Sequence, residues 1–123
     1  ARAALESIAL QSTELLLAMQ RDAQNLQGLK VQAMRVDGGA CANNLLMQMQ
    51  ADLLGLPVLR PQTVETTALG AALLAGLGVG VFTSPDELRT RLGIERVFEP
   101  QCSRDQAQAK LDAWQQAVRC LQP

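Results

Sequence analysis

The sequence predicts an α/β domain in which helices flank two short parallel strands. Three observations carry this prediction. An apolar, partly β-branched run ends at Val36 and is followed by Asp37, Gly38 and Gly39, after which leucine and methionine recur at helical spacing. A second short apolar segment, residues 57–61, is bracketed by prolines. Amphipathic helical patterns occupy both ends of the chain, so the strands have helices to cover them.

The first element is an amphipathic helix over residues 2–22, which no proline or glycine interrupts before Gly28. Its predicted apolar face consists of Leu5, Ile8, Leu15, Leu16 and Met19. Residues 29–36 are predicted as the first strand, because a mostly apolar run suits a strand covered on both faces. A helix over about residues 42–54 follows the Gly-Gly turn, and Gly55 is predicted to cap its C-terminal end.

Residues 57–61 are the second predicted strand, and residues 66–80 form a helix dense in glycine and alanine, which neighbouring backbone can approach closely. Ser84 and Pro85 begin a short helix that reaches Leu92. Residues 94–98 are predicted as a small edge strand. A terminal amphipathic helix is indicated by the spacing of Ala107, Leu111, Trp114, Val118 and Leu121. The length of 123 residues predicts one domain, residues 1–123.

Composition argues against several partners and compartments. The formal net charge of -1, with one tryptophan and two phenylalanines, provides neither a basic footprint nor a stacking platform, so no nucleic-acid partner is expected. No apolar stretch is long enough to predict a membrane span. Three cysteines and no histidine fit reduced thiols in a cytoplasmic protein better than a zinc site.

The Gly-Gly turn is the first candidate site. Ligands of parallel sheets lie beyond the carboxyl ends of strands, and a helix N-terminus offers unpaired N–H groups to an anion. From spacing alone, a strand-to-helix turn that needs a positive φ is the simpler explanation of Gly38 and Gly39, and a ligand site is the alternative. Asn43 and Asn44 suit either a helix cap or a ligand. Asp37 suits hydrogen bonds to its own turn better than a metal or a base.

Other reactive or small residues have simpler interpretations. Residues 65–67, Glu-Thr-Thr, are predicted to cap the next helix and not to catalyse. Cys41 has no histidine in the chain to activate it. Residues 70–72 suit either a packing seam or a hinge between domains. The chain lacks an evident general base and is already helical in pattern at Ala1, so we expect it to be part of a longer protein.

A resemblance to a known family extends over nearly all of the chain. It is carried by the motif DGGA-x-ANN-x-LMQ, the proline-bounded strand and the motif ETTALGAA, all within residues 35–80. This region resembles the C-terminal signature of the glycerol kinases, a group within the FGGY family of carbohydrate kinases. Xylulose and gluconate kinases resemble it more loosely. The resemblance implies the C-terminal portion of a ribonuclease-H-like nucleotide-binding domain of the actin and hexokinase type.

The resemblance also implies an activity, ATP-dependent phosphorylation of glycerol to glycerol 3-phosphate by the parent protein. Gly39 and Asn43 match residues that contact the nucleotide, and Gly38 completes the turn. Mg²⁺ would accompany ATP without ligands from this chain, to which no catalytic residue is assigned. Glycerol would bind through segments outside the chain, so the chain alone is expected to be inactive.

Two alternatives remain open. The acceptor could be another polyol or a sugar, because the residues that select it lie outside the chain. The chain could also be a non-catalytic packing or interaction fragment. In either case we expect self-association or a companion chain, because the predicted strand at residues 29–36 would present an unpaired apolar edge.

Overall fold

A computed structural model of the protein describes residues 1–28 and 30–121. In chain order its elements are α1 (Arg2–Gln27), β1 (Met34–Arg35), a 3-10 helix (Gly39–Ala42), α2 (Asn44–Leu54), β2 (Val58–Pro61), α3 (Thr66–Gly78), α4 (Pro85–Arg91), β3 (Ile94–Phe98) and α5 (Arg104–Leu121). The predicted mixture of helices and short strands is therefore confirmed.

The described strands form one mixed sheet in the order β1-β2-β3. β1 is parallel to β2, with Met34 opposite Val58, and β3 is antiparallel to β2. The parallel pair and the edge strand at residues 94–98 were both predicted from the sequence. The sheet holds the end of β1 beside β2. The candidate site begins at this end of β1.

The first strand is shorter than predicted. The sequence indicated residues 29–36, whereas β1 is Met34–Arg35; Leu29 lies outside the described residues. The reason is the length of the partner. β2 has four residues, and β1 is held by hydrogen bonds from the Met34 N–H to the Pro57 carbonyl (2.9 Å) and from the Val36 N–H to the Leu59 carbonyl (3.2 Å). An apolar run becomes a strand only where a second strand pairs with it.

Helix α2 lies at the centre of the core. Its buried residues are Leu46, Met47, Met49, Gln50, Ala51, Leu53 and Leu54. The helix packs against α1, α5 and the sheet. It ends as predicted at Gly55, whose φ of 68° is the left-handed conformation that glycine adopts without strain. It begins at Asn44 and not near residue 42, because Gly39–Ala42 forms a 3-10 helix first.

Helix α1 continues to Gln27, beyond the predicted end at residue 22. Of its predicted apolar face, Leu5 packs against the core but most of the other residues do not. Ala9 and Thr13 are fully buried, whereas Ile8, Leu15 and Met19 are exposed. Two apolar stripes run along this helix. The small side chains of Ala9 and Thr13 let α2 approach closely, so the stripe that contains them packs against α2. The stripe that contains Ile8, Leu15 and Met19 is left at the surface.

The peripheral helices divide into packed and unpacked ones. In α5, Ala107 and Leu111 are buried and the Trp114 indole N–H donates to the Glu14 carboxylate of α1 (2.9 Å). The Ser84 hydroxyl accepts from the Glu87 N–H (3.3 Å), which confirms the predicted start of α4. Helix α3 is apolar yet buries none of its residues in this chain.

We predict that the 123-residue chain self-associates through the exposed stripe of α1. Ile8, Leu15 and Met19 are 47%, 63% and 55% exposed and, at spacings of seven and four residues, lie on one face of the helix; an exposed apolar face recruits other chains. Sedimentation of the Ile8→Gln/Leu15→Gln/Met19→Gln variant should show less association than the parent chain. Leu121→Gln, an exposed leucine on α5, is the control. A parent chain that sediments as a monomer at micromolar concentration would contradict this prediction.

Candidate functional site

The candidate site is built on the turn that joins β1 to α2. Gly38 has φ 77° and precedes the 3-10 helix as its N-terminal cap residue. Its N–H donates to the Val64 carbonyl (2.9 Å), and its own carbonyl accepts from the Cys41 N–H (3.2 Å). The left-handed φ means that an L side chain at this position is strained. Gly38 therefore has the structural role that a positive-φ turn predicts.

Gly39 differs from its neighbour. It is absent from the positive-φ glycines of the described chain, and a β-carbon added to it would have no heavy atom within 4 Å. Neither backbone conformation nor internal packing thus requires a glycine here. The open space in front of Gly39 is available to a ligand that approaches the backbone.

Asn43 caps helix α2. Its Oδ1 accepts from the N–H groups of Leu45 (3.0 Å) and Leu46 (3.1 Å). The expectation that this helix start offers its unpaired N–H groups to an anion is therefore wrong for these two donors, because the chain satisfies them itself. The side chain of Asn43 is exposed, and its Nδ2 takes no part in the cap. The cap and ligand interpretations of this asparagine are compatible.

Asp37 and Thr66 connect the turn to α3. The Thr66 hydroxyl donates a short hydrogen bond to the Asp37 carboxylate. The prediction that Asp37 serves its own turn is corrected by this partner on another element. Likewise, Glu65 stands at the cap position of α3 but its side chain makes no capping hydrogen bond. Together with the bond from Gly38 to Val64, the contact ties the start of α3 to the end of β1.

A cavity of about 380 Å³ lies between the sheet and α3. It is lined by Arg35, Val36, Asp37, Leu59, Pro61, Thr66, Gly70, Leu73, Leu92, Gly93 and Ile94. Gly38, Gly39 and Asn43 are not part of its lining. The cavity and the turn therefore share only the end of β1. Gly39 and Asn43 are exposed outside the cavity, and Gly38 is half-buried.

Sequence reasoning missed Arg60, a buried residue of β2 that bonds to this turn. Its guanidinium donates to the carbonyls of Cys41 (3.0 Å) and Ala42 (3.4 Å) and to the Asn44 side chain (2.8 Å). One sequence signal was available. In a strand that begins with Val58, residue 60 falls on the same face as Val58, and a charged residue on a core-facing position needs a specific partner.

The described part of the chain has no group of three or more His, Cys, Asp or Glu side chains placed to hold a metal ion. The three cysteines are free, with Cys41 buried at 1% exposure. None of the described helices is long and apolar enough to cross a membrane.

Comparison with known proteins identifies the family. The family model of the FGGY carbohydrate kinases, C-terminal domain, matches residues 1–79. The chain belongs to this family. It is 59% identical over 119 residues to a glycerol kinase of Methylibium petroleiphilum, covering 97% of this chain and 24% of that protein. It is 61% identical over 118 residues to a glycerol kinase of Acidovorax sp. strain JS42, again covering 24% of the relative and 96% of this chain.

Solved structures agree on the fold. A crystal structure of Plasmodium falciparum glycerol kinase with ADP matches 96% of this chain with a TM-score of 0.81 and 31% identity, and the match covers 23% of that protein. A xylulose kinase of Lactobacillus acidophilus matches 98% of the chain and 24% of its own length with a TM-score of 0.76 at 17% identity. The chain thus has the C-terminal part of the ribonuclease-H-like kinase fold and spans about a quarter of the length of these relatives.

Proposed function

We propose that the longer protein to which this chain belongs phosphorylates glycerol with ATP, giving glycerol 3-phosphate and ADP. The observation that carries this proposal is the 59% identity to a protein named glycerol kinase, sustained over 97% of this chain. The chain covers only 24% of that relative, and we assign the acceptor site and the catalytic groups to the remaining segments. Glycerol is proposed as the acceptor on the strength of the relatives alone.

Within that enzyme, we propose that this chain supplies the adenosine side of the nucleotide site. Gly39 offers open backbone, Asn43 offers an exposed amide four residues further along the chain, and Gly38 forms the turn that precedes both. The similarity to a structure described as glycerol kinase with ADP supports a nucleotide as the ligand. The capped N-terminus of α2 suits a neutral part of the nucleotide better than its phosphates, since two of the N–H groups are already bonded to Asn43.

Mg²⁺ is proposed only as the ion that accompanies the phosphates of ATP, where it would neutralise charge in the transferred group. The described residues do not fit a metal site of their own, so no step is assigned to them through the ion. The free cysteines support a reducing compartment, and we propose the cytoplasm.

Replacing Gly39 by Val in the full-length protein should raise the KM for ATP about tenfold or more, with a smaller effect on the KM for glycerol. The branched side chain would project into the space over the turn, which is open because a β-carbon at this position has no heavy-atom neighbour within 4 Å. Steady-state kinetics with each substrate varied in turn measure both constants.

Gly78→Val is the matched control, because Gly78 on α3 also has open space and no positive φ. Gly38→Ala should instead lower stability, since its φ of 77° disfavours any side chain. A folded Gly39→Val variant with an unchanged KM for ATP would remove the turn from the nucleotide site.

A further inference from the structure

Arg60 occupies an unusual position for a charged residue. It lies in the short central strand β2 on the same face as Val58, and only 7% of its surface is exposed. A charge removed from water in this way is costly unless its hydrogen-bond donors find partners. The identity of those partners shows what the side chain does.

Two of the guanidinium nitrogens bind Glu95 on the neighbouring strand β3. The Nε donates to Oε2 at 2.8 Å and the Nη2 donates to Oε1 at 3.2 Å. This bidentate geometry fixes the plane of the guanidinium. The guanidinium carbon also lies 5.3 Å from the centroid of the Phe98 ring, so the apolar face of the group is covered too.

The remaining nitrogen, Nη1, points its donors at the turn. It bonds to the carbonyls of Cys41 (3.0 Å) and Ala42 (3.4 Å) and to the Asn44 Oδ1 (2.8 Å). Cys41 and Ala42 are the last residues of the 3-10 helix Gly39–Ala42, whose final carbonyls have no partner within the helix. The guanidinium donors satisfy these carbonyls.

The segment that Arg60 holds is the one between Gly39 and Asn43. Gly39 begins the 3-10 helix and Asn43 follows it as the cap of α2. Through Cys41, Ala42 and Asn44, a single buried guanidinium fixes the chain on both sides of Asn43. The spacing and orientation of the two candidate ligand contacts therefore depend on a residue that is almost inaccessible to a ligand.

We propose that Arg60 is a positioning residue for the nucleotide site, acting through the turn at Gly39–Ala42 and held in place by Glu95. This inference rests on the proposed nucleotide-binding role of the turn. It adds that nucleotide affinity is set partly by the sheet beneath the turn, through an ion pair between β2 and β3.

The test uses the full-length protein and four variants. Arg60→Met removes the guanidinium but keeps an apolar stem, and Arg60→Lys keeps the charge without the planar fork that reaches Glu95 and the turn together. Glu95→Gln removes the charge that orients the fork. Arg96→Met is the matched control, because Arg96 lies 4.6 Å from the same Phe98 ring but has no hydrogen bond to the turn among the described contacts.

The first readout is the Kd for ADP measured by calorimetry, and the second is the split between KM for ATP, KM for glycerol and kcat. Arg60→Met should weaken ADP binding and raise the KM for ATP about tenfold. Arg60→Lys and Glu95→Gln should each raise the Kd for ADP and the KM for ATP about threefold. The KM for glycerol should stay within about twofold of the wild-type value in all variants. Arg96→Met should leave all of these constants unchanged.

Folded Arg60→Met or Arg60→Lys protein with unchanged ADP affinity would overturn the proposal, as would an Arg96→Met variant that weakens ADP binding equally. If Arg60→Met is not recovered folded, Arg60→Lys decides the question by the same criterion. ADP binding needs no acceptor substrate. A wild-type protein that binds ADP but does not phosphorylate glycerol would therefore count against the proposed function and not against the role of Arg60.

Discussion

The isolated 123-residue chain should show no glycerol-dependent formation of ADP from ATP, whereas the full-length protein should show it readily. Phosphoryl transfer depends on groups that position the phosphates and stabilise charge in the transition state, together with a base or positioning group for the attacking hydroxyl. The residues that we propose for the nucleotide, Gly38, Gly39 and Asn43, would contact only one end of it and carry no charge. A coupled assay for ADP, with and without glycerol, measures the difference.

The control is Asn43→Ala in both proteins. In the full-length protein this variant should lose nucleotide affinity and some helix stability, because Asn43 also caps α2. In the isolated chain it should leave ADP formation at the background rate, since there is no activity to lose. Glycerol-dependent ADP formation by the isolated chain that disappears in Asn43→Ala would show that the chain carries a complete active site.

Local chemistry made much of the fold predictable. Gly55 ends α2 because a left-handed cap is a property of one residue and its immediate neighbours. Ser84 begins α4 for a similarly local reason. The parallel pairing of β1 and β2 followed from the strand, helix, strand order. The two helix ends are decided within a few residues, the range over which a sequence pattern carries most information, and the parallel pairing follows from the order of the elements.

The features that sequence reasoning missed depend on distant partners. Residues 30–33 were included in the predicted strand, but β2 is too short to pair with them. In α1 the residues Ile8 and Leu15 looked as suitable for the core as Leu5, yet α2 packs against the stripe that contains Ala9. Periodicity identifies an apolar stripe, but the stripe that is buried is chosen by the shape of the neighbour.

In the candidate site, too, the local features were predictable from the sequence and the contacts between distant residues were not. Gly38 and Asn43 were recognisable because a turn and a cap have local signatures. The partner of Asp37 is Thr66, 29 residues further along the chain, and the partners of Arg60 lie 16 to 19 residues before it and 35 residues after it. No local pattern connects these residues. Only the fold brings the end of β1, the start of α3 and the middle of β2 to one turn.

Replacing Phe98 by Ala should produce the largest loss of stability among single substitutions in the core of the 123-residue chain. Phe98 is 2% exposed and lies opposite Val58 in the sheet, so truncation leaves a cavity beneath β2. Large-to-small substitutions of buried aromatic residues cost about 3–5 kcal/mol. The ring also covers the guanidinium of Arg60, at 5.3 Å, so the variant should loosen the turn that Arg60 holds.

Urea unfolding of the 123-residue chain, followed by circular dichroism at one fixed protein concentration, measures the free energy of unfolding. Val97→Ala is the matched control: it is the preceding residue of β3, its side chain is 43% exposed on the opposite face, and its loss should be much smaller. Phe98→Leu should fall between the two, because leucine fills part of the space but has no ring to cover the guanidinium. If Phe98→Ala costs no more than Val97→Ala, the core does not depend on β3, and the ion pair between Arg60 and Glu95 must be held in place by the turn itself.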